Sequence, residues 1–198
     1  MTRTRAKDHD DKREAISRTA SQVFAEDGYD RTSMAEVARR CGVSKALLYH
    51  YYSSKEAMLY DIIANHLAEL IDAVEEADQP DLAPEKRLEV LVAALLECYR
   101  DADSKHKVQL ETMGFLPDAQ QAELKAMERH LVRIFSDAIR AVSPQAFEGG
   151  DLLKPVTMTL FGMLNWAYMW FRDGRAFTRQ DYARLATRIL VAGVRDLA

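Results

Sequence analysis

The chain has 198 residues, 48% of them hydrophobic and 9% aromatic, with a net charge of −4. This length suits one large domain or two small ones, and the apolar content is ample for a buried core. Two cysteines, Cys41 and Cys98, lie far apart without C-x-x-C spacing, which excludes a disulfide scaffold and a thiolate metal site.

Charge is unevenly placed. Residues 1–56 hold 11 Lys/Arg and 9 Asp/Glu, whereas the remainder holds 16 and 22. A basic front and an acidic rear fit a chain that meets phosphate at one end only. The N-terminus is charged and has no apolar run, so no secretory signal is expected. The longest uncharged stretch, residues 155–171, is shorter than the roughly 20 residues of a membrane span. It also contains Thr157, Thr159 and Asn165. A buried helix in a cytoplasmic protein is expected there.

Residues 1–11 are polar and are expected to form a flexible arm. Arg3, Arg5 and Lys7 could enter a minor groove or follow phosphates, or the arm could simply be solvated. Residues 12–26 form an amphipathic helix with Ile16, Ala20, Val23 and Phe24 on one face, closed by Asp27-Gly28.

Ser33 and Glu36 make the S-x-x-E of a capping box, so a helix is predicted from Ser33. Gly42 suits the left-handed end of that helix. Ser44 can cap a second, short helix containing Ala46, Leu47 and Leu48. Ser53 to Glu56 is another box and opens a third. Two helices joined by a tight Gly-containing turn form a helix-turn-helix pattern. The second helix presents Lys45, Tyr49, His50 and Tyr51 outward, with donors for base edges or phosphates. The alternative is an ordinary helical hairpin.

This stretch, TSMAEVARRCGVSKALLYHYYSSKEAML, resembles the DNA-binding domain of the tetracycline-repressor (TetR) family. The resemblance is carried by Thr32, Val37-Ala38, Gly42-Val43-Ser44, Leu48-Tyr49, Ser54-Lys55-Glu56 and Leu59. Tyr52 stands where that family usually has Phe. The resemblance implies a dimeric, ligand-responsive transcriptional regulator, usually a repressor. Operator DNA, a small-molecule effector and a second copy of the chain are then its partners. The expected DNA-binding set is Thr32, Ser33, Ser44, Lys45, Ala46, Tyr49, His50, Tyr51 and Lys55.

Residues 53–77 form a long helix with a broad apolar face that includes Ile62, Ile63, Leu67 and Leu70. His66 on that face reads as a core histidine or, alternatively, a ligand group. Residues 78–85 break the chain, and Pro84 suits a helix N1 position. Helices are expected over residues 85–102, 105–114 and 117–142. A loop follows at 143–150, then the most apolar helix, 152–172, stopped by Asp173-Gly174. Thr178 can cap a last helix running to the C-terminus. The expected fold is all-α with about nine helices: a DNA-binding head over residues 1–56 and a ligand-binding and dimerisation domain over 57–198.

A helix apolar nearly all round needs partners on more than one side. For 152–172 the same helix pair of a second chain would supply one, giving a two-fold four-helix interface. The TetR resemblance implies the same arrangement.

Enzyme signatures are missing: there is no Gly-rich phosphate loop, no G-x-S-x-G and no H-E-x-x-H. His9, His50, His66, His106 and His130 are scattered. No cofactor is implied. A helical adaptor without DNA binding is the other class, disfavoured by the outward Lys45-Tyr49-His50 set.

FGMLNWAYMWFRDG, residues 161–174, resembles a signature of TetR regulators that control fatty-acid, steroid or aromatic-acid breakdown and respond to acyl-CoA thioesters. Trp166 and Trp170 also read as dimer or core aromatics. The expected ligand-binding set is Tyr99, Met113, Phe115, Phe135, Phe161, Asn165, Trp166, Met169 and Arg172. Lys105, Lys107, Arg129 and Arg133 are candidates for phosphates at a pocket mouth. The alternative effector is a non-CoA hydrophobic or aromatic molecule.

Overall fold

The computed structural model describes residues 2–100, 102–172, 174 and 176–197, with side chains from His9 onward. The side chains of Arg3, Arg5 and Lys7, and residue Asp173, lie outside the described residues. Among the described residues the regular structure is entirely helical. The α-helices are α1 (Thr2–Asp27), α2 (Met34–Arg40), α3 (Lys45–Tyr51), α4 (Lys55–Ala77), α5 (Pro84–Cys98), α6 (Asp103–Thr112), α7 (Asp118–Val142), α8 (Leu153–Asn165), α9 (Ala167–Trp170) and α10 (Arg179–Asp196). Two 3₁₀ turns, Met113–Phe115 and Pro144–Phe147, follow α6 and α7. No helix among the described residues is long and apolar enough to cross a membrane.

Eight of the nine expected helices are present as single elements. The ninth, 152–172, is divided at Trp166 into α8 and α9. Tyr182 of α10 donates its hydroxyl to the Met163 carbonyl at 2.8 Å, the carbonyl an unbroken helix would offer to the Ala167 amide. A side chain inserted into the ladder of backbone bonds interrupts a helix there. The flexible arm expected over residues 1–11 is also corrected, because α1 is already helical from Thr2. Nothing between Thr2 and Asp27 is Gly or Pro, so no residue stops the helix.

The chain forms two compact units. The first joins Met1–Leu67 to Ala102–Lys125, and the second joins Ala68–Asp101 to Ala126–Ala198. Helices α4 and α7 contribute to both. Where the sequence suggested a boundary after residue 56, the first unit extends further and takes in α6. Helix α6 packs on α1, and Lys107 donates to the Ala25 carbonyl at the end of α1, at 2.7 Å. Lys107, a candidate for phosphates at a pocket mouth, is thus engaged in capping α1.

In the first unit, Ile16, Val23, Val37, Leu48, Met58 and Ile62 are essentially fully buried. Each such side chain stabilises the fold by about 1.5–3 kcal/mol relative to exposure. In the second unit, α10 packs on α5 and α8. Leu91, Leu95, Leu160, Leu164 and Ala186 fill that core, and Phe135 meets Phe161 edge-on at 5.2 Å. Arg87 holds Asp78 with two bonds of 2.6 and 2.7 Å, pinning the loop before α5. Thr178 and Asp181 form a complete capping box at the start of α10.

Candidate nucleic-acid interface and effector region

Helix α2 is capped by Ser33, whose hydroxyl accepts the Glu36 amide at 3.2 Å. The capping box is one-sided: the Glu36 carboxylate turns to Arg39 at 2.9 Å, a pairing that holds it below its usual pKa. Gly42 then adopts φ +64°, and a Cβ there would meet nothing within 4 Å. The backbone angle, not space, calls for glycine. Ser44 caps α3 by accepting the Leu47 amide at 3.1 Å. These caps contribute about 1 kcal/mol each and fix where both helices begin.

Seven residues make two turns, and one face of α3 is anchored by Leu48, fully buried. Lys45, Ala46, Tyr49 and His50 are exposed, as are the helix caps Ser33 and Ser44. Lys45 Nζ lies 5.8 Å from the Tyr49 ring centre, which couples the two one helical turn apart. Tyr51 is half-buried, its ring 4.7 Å from that of His9 on α1. Behind α3, Tyr52 is buried and donates its hydroxyl to Asp61 at 2.8 Å, while Arg13 pairs with the other oxygen of the same carboxylate. The hydroxyl that distinguishes Tyr52 from the usual Phe thus has a defined partner. Sequence reading missed this Arg13–Tyr52–Asp61 group, because its members are far apart in the chain.

Two members of the expected DNA set point inward. Thr32 is buried and donates its hydroxyl to the Gly28 carbonyl at 2.8 Å. Lys55 donates to the carbonyls of Tyr29 and Thr32, both at 2.9 Å, and sits 4.3 Å from the Tyr29 ring centre. Burial, with a smaller push from Glu56, raises the Tyr29 phenol to about 12, so that ring stays neutral. The arginines at the end of α2 are also engaged, Arg40 with Glu26 at 2.7 Å and Arg39 with Glu36.

The expected effector set is distributed over several environments. Tyr99 is buried and donates to Asn165 Oδ1 at 2.8 Å. Phe135 and Phe161 are buried against each other. Trp166 is 60% exposed and Met169 51%. Arg172 is exposed and donates to the Phe171 carbonyl at 2.8 Å. Met113 and Phe115 belong to the first unit, where Phe115 packs on Tyr29 with ring centres 5.1 Å apart. Among the described residues, grooves flank α10 in the second unit. One, of about 290 Å³, runs between α8 and α10 and is lined by Val156, Met163, Ile189, Gly193, Val194 and Leu197 among others. Another, of about 770 Å³, lies between α5 and α10 beside Lys86, Arg188 and Arg195. Neither groove is lined by a residue of the expected set. Among the described residues no group of three or more His, Cys, Asp or Glu could hold a metal ion.

Residues 16–62 match the family model described as bacterial regulatory proteins, tetR family. Residues 81–194 match that described as tetracyclin repressor-like, C-terminal domain. The crystal structure of a TetR-family transcriptional regulator from Bordetella parapertussis 12822 is similar with a TM-score of 0.85 and 31% identity, over 90% of this chain and 93% of that one. The crystal structure of AibR in complex with isovaleryl coenzyme A and operator DNA is similar with a TM-score of 0.77 and 26% identity, over 91% and 98% of the two chains. The uncharacterised HTH-type transcriptional regulator YuxN of Bacillus subtilis (strain 168) is 33% identical over 57% of this chain and 38% of its own length. The first curated relatives are matched over only 38% to 40% of their length.

Proposed function

Since the chain belongs to the TetR family of bacterial regulatory proteins, we propose that it is a cytoplasmic, homodimeric repressor that leaves its operator on binding an acyl-CoA thioester. The observation that carries the DNA half is the exposed row Lys45, Ala46, Tyr49 and His50 on a helix anchored by Leu48. An exposed row of donors on an anchored short helix suits a major groove. Ser33 and Ser44, the exposed caps of α2 and α3, are assigned to the same face. Thr32 and Lys55, being turned inward, belong to its frame.

The dimer reading rests on apolar surface along α8 and α10. Met158, Leu185, Ile189 and Leu197 are each at least 44% exposed, and the 290 Å³ groove runs beside Ile189 and Leu197. A second copy related by a two-fold axis covers such a face with the same face. Two heads then read half-sites about 34–36 Å apart.

The effector reading is supported by the likeness to AibR, whose structure contains isovaleryl coenzyme A. Release requires that the thioester bind one arrangement of the heads more tightly than the other.

The test has two stages. Purified protein is used to recover fragments from mixed genomic DNA, and the bound fragments are titrated with acyl-CoA and aryl-CoA thioesters beside their free acids. Release by thioesters but not by acids is expected. Release only by acids or by cationic drugs would replace the effector class and leave DNA binding intact. Failure to recover any fragment would count against the DNA reading itself.

A further inference from the structure

Lys55 is the first residue of α4, and its ammonium group is turned into the protein. It donates to two backbone carbonyls, Tyr29 O and Thr32 O, each at 2.9 Å. The same group lies 4.3 Å from the centre of the Tyr29 ring, which packs against Phe24 and Phe115 on its other contacts, both at 5.1 Å. The turn it grips runs from Gly28, at φ +88°, to Thr32, whose amide closes on the Tyr29 carbonyl at 3.2 Å and whose hydroxyl closes on Gly28. The next residue is Ser33, the cap of α2, and α2 packs on α3.

We infer that Lys55 is a positioning residue for the DNA-reading helix, acting as an internal strut between α4 and the α1–α2 turn, and is not a phosphate ligand. The inference rests on the reading that α3 meets DNA. Charge-assisted bonds to two carbonyls, backed by an aromatic face, hold an ammonium group more firmly than solvent does. Removing that group frees the 28–32 turn, lets the start of α2 shift, and changes the angle at which α2 supports α3. A phosphate ligand, by contrast, would act by displacing a counterion and leave the α1–α2 turn untouched.

The first arm uses the unmodified protein. Lysine acetylation, read residue by residue by mass spectrometry, is followed without DNA and with a duplex selected from a random-sequence library. Lys55 should react more slowly than Lys45 in free protein by more than about tenfold, because acetylation requires breaking its two charged hydrogen bonds. DNA should slow Lys45 and leave Lys55 unchanged. The second arm compares Lys55→Met with Lys45→Ala on the same duplex across a range of salt. Lys55→Met should weaken binding at an unchanged salt slope, whereas Lys45→Ala should lower the slope by about one. Lys55 reacting as fast as Lys45 in free protein, then becoming protected by DNA, would overturn the proposal, as would a slope lowered by one in Lys55→Met. If DNA protects no lysine, the reading of α3 falls, and the rate in free protein alone still decides whether Lys55 is held inside.

Discussion

Tyr99, at the end of α5, donates its phenol to Asn165 Oδ1, in the last turn of α8, at 2.8 Å. Two polar groups that the sequence offered for orienting an effector are therefore bonded to each other. An effector that uses either group must first exchange this bond for its own. Tyr99→Phe and Asn165→Ala should each lower stability by about 1 kcal/mol, the usual net value of such a bond. Because the bond is shared, the double variant should cost less than the sum of the two. Urea unfolding of the four proteins measures this, and strict additivity would mean that the bond contributes nothing.

On the DNA face, Tyr49→Ala and Lys45→Ala should both weaken operator binding with the helical circular dichroism signal unchanged. Both side chains are exposed, so their removal leaves no cavity. Loss of one good contact to a base edge costs about 1–3 kcal/mol. Tyr49→Ala should therefore reduce sequence preference, whereas Lys45→Ala should weaken all sequences alike. Gel-shift titrations on the recovered duplex and on an unrelated one separate these effects. Equal affinity of both variants and the unmodified protein would take α3 off the DNA.

What could be read from the sequence was what local chemistry decides. Ser33, Ser44 and Thr178 cap the helices they were expected to cap, and Gly28 and Gly42 take positive φ at helix ends. Each of those depends on residues within a few positions. The inward turn of Lys55 depends on carbonyls 23 and 26 residues earlier. The break at Trp166 depends on Tyr182, whose acceptor Met163 lies 19 residues before it. No periodicity within α4 or α8 encodes either partner. The spread of the expected effector set has the same origin: its members lie far apart in the chain, and packing turns Phe135 inward and leaves Trp166 outward.

The first unit should lose stability in mild acid. His66 is fully buried in α4, with its ring 5.8 Å from that of His106 in α6. Burial, followed by the charges of His106 and Lys105, lowers its pKa from 6.5 to about 3. Between those two values the unfolded chain binds a proton that the folded chain refuses. Stability from this group is therefore complete above pH 6.5 and falls steadily as pH drops towards 3. Thermal melts between those limits should show a falling midpoint, and His66→Leu should flatten that part of the profile. An unchanged profile in the variant would assign the acid sensitivity to other groups.

The last expectation concerns the second copy. Ile189 of α10 is 55% exposed in the single chain and lines the groove against α8. Because the side chain is exposed, Ile189→Asp should cost the monomer little. Within a two-fold interface the same change buries two carboxylates without partners, at about 3–5 kcal/mol for each unpaired charge. Two such penalties exceed what a moderately tight dimer can absorb, so the variant should sediment as a folded monomer where the unmodified protein sediments as a dimer. Operator affinity should fall with it, since two heads no longer bind as one unit. If the variant remains a dimer, the α8–α10 face is not the interface. If the unmodified protein is a stable monomer at micromolar concentration, the two-fold reading fails altogether, and the exposed apolar row on α8 and α10 must be covered by something other than a second chain.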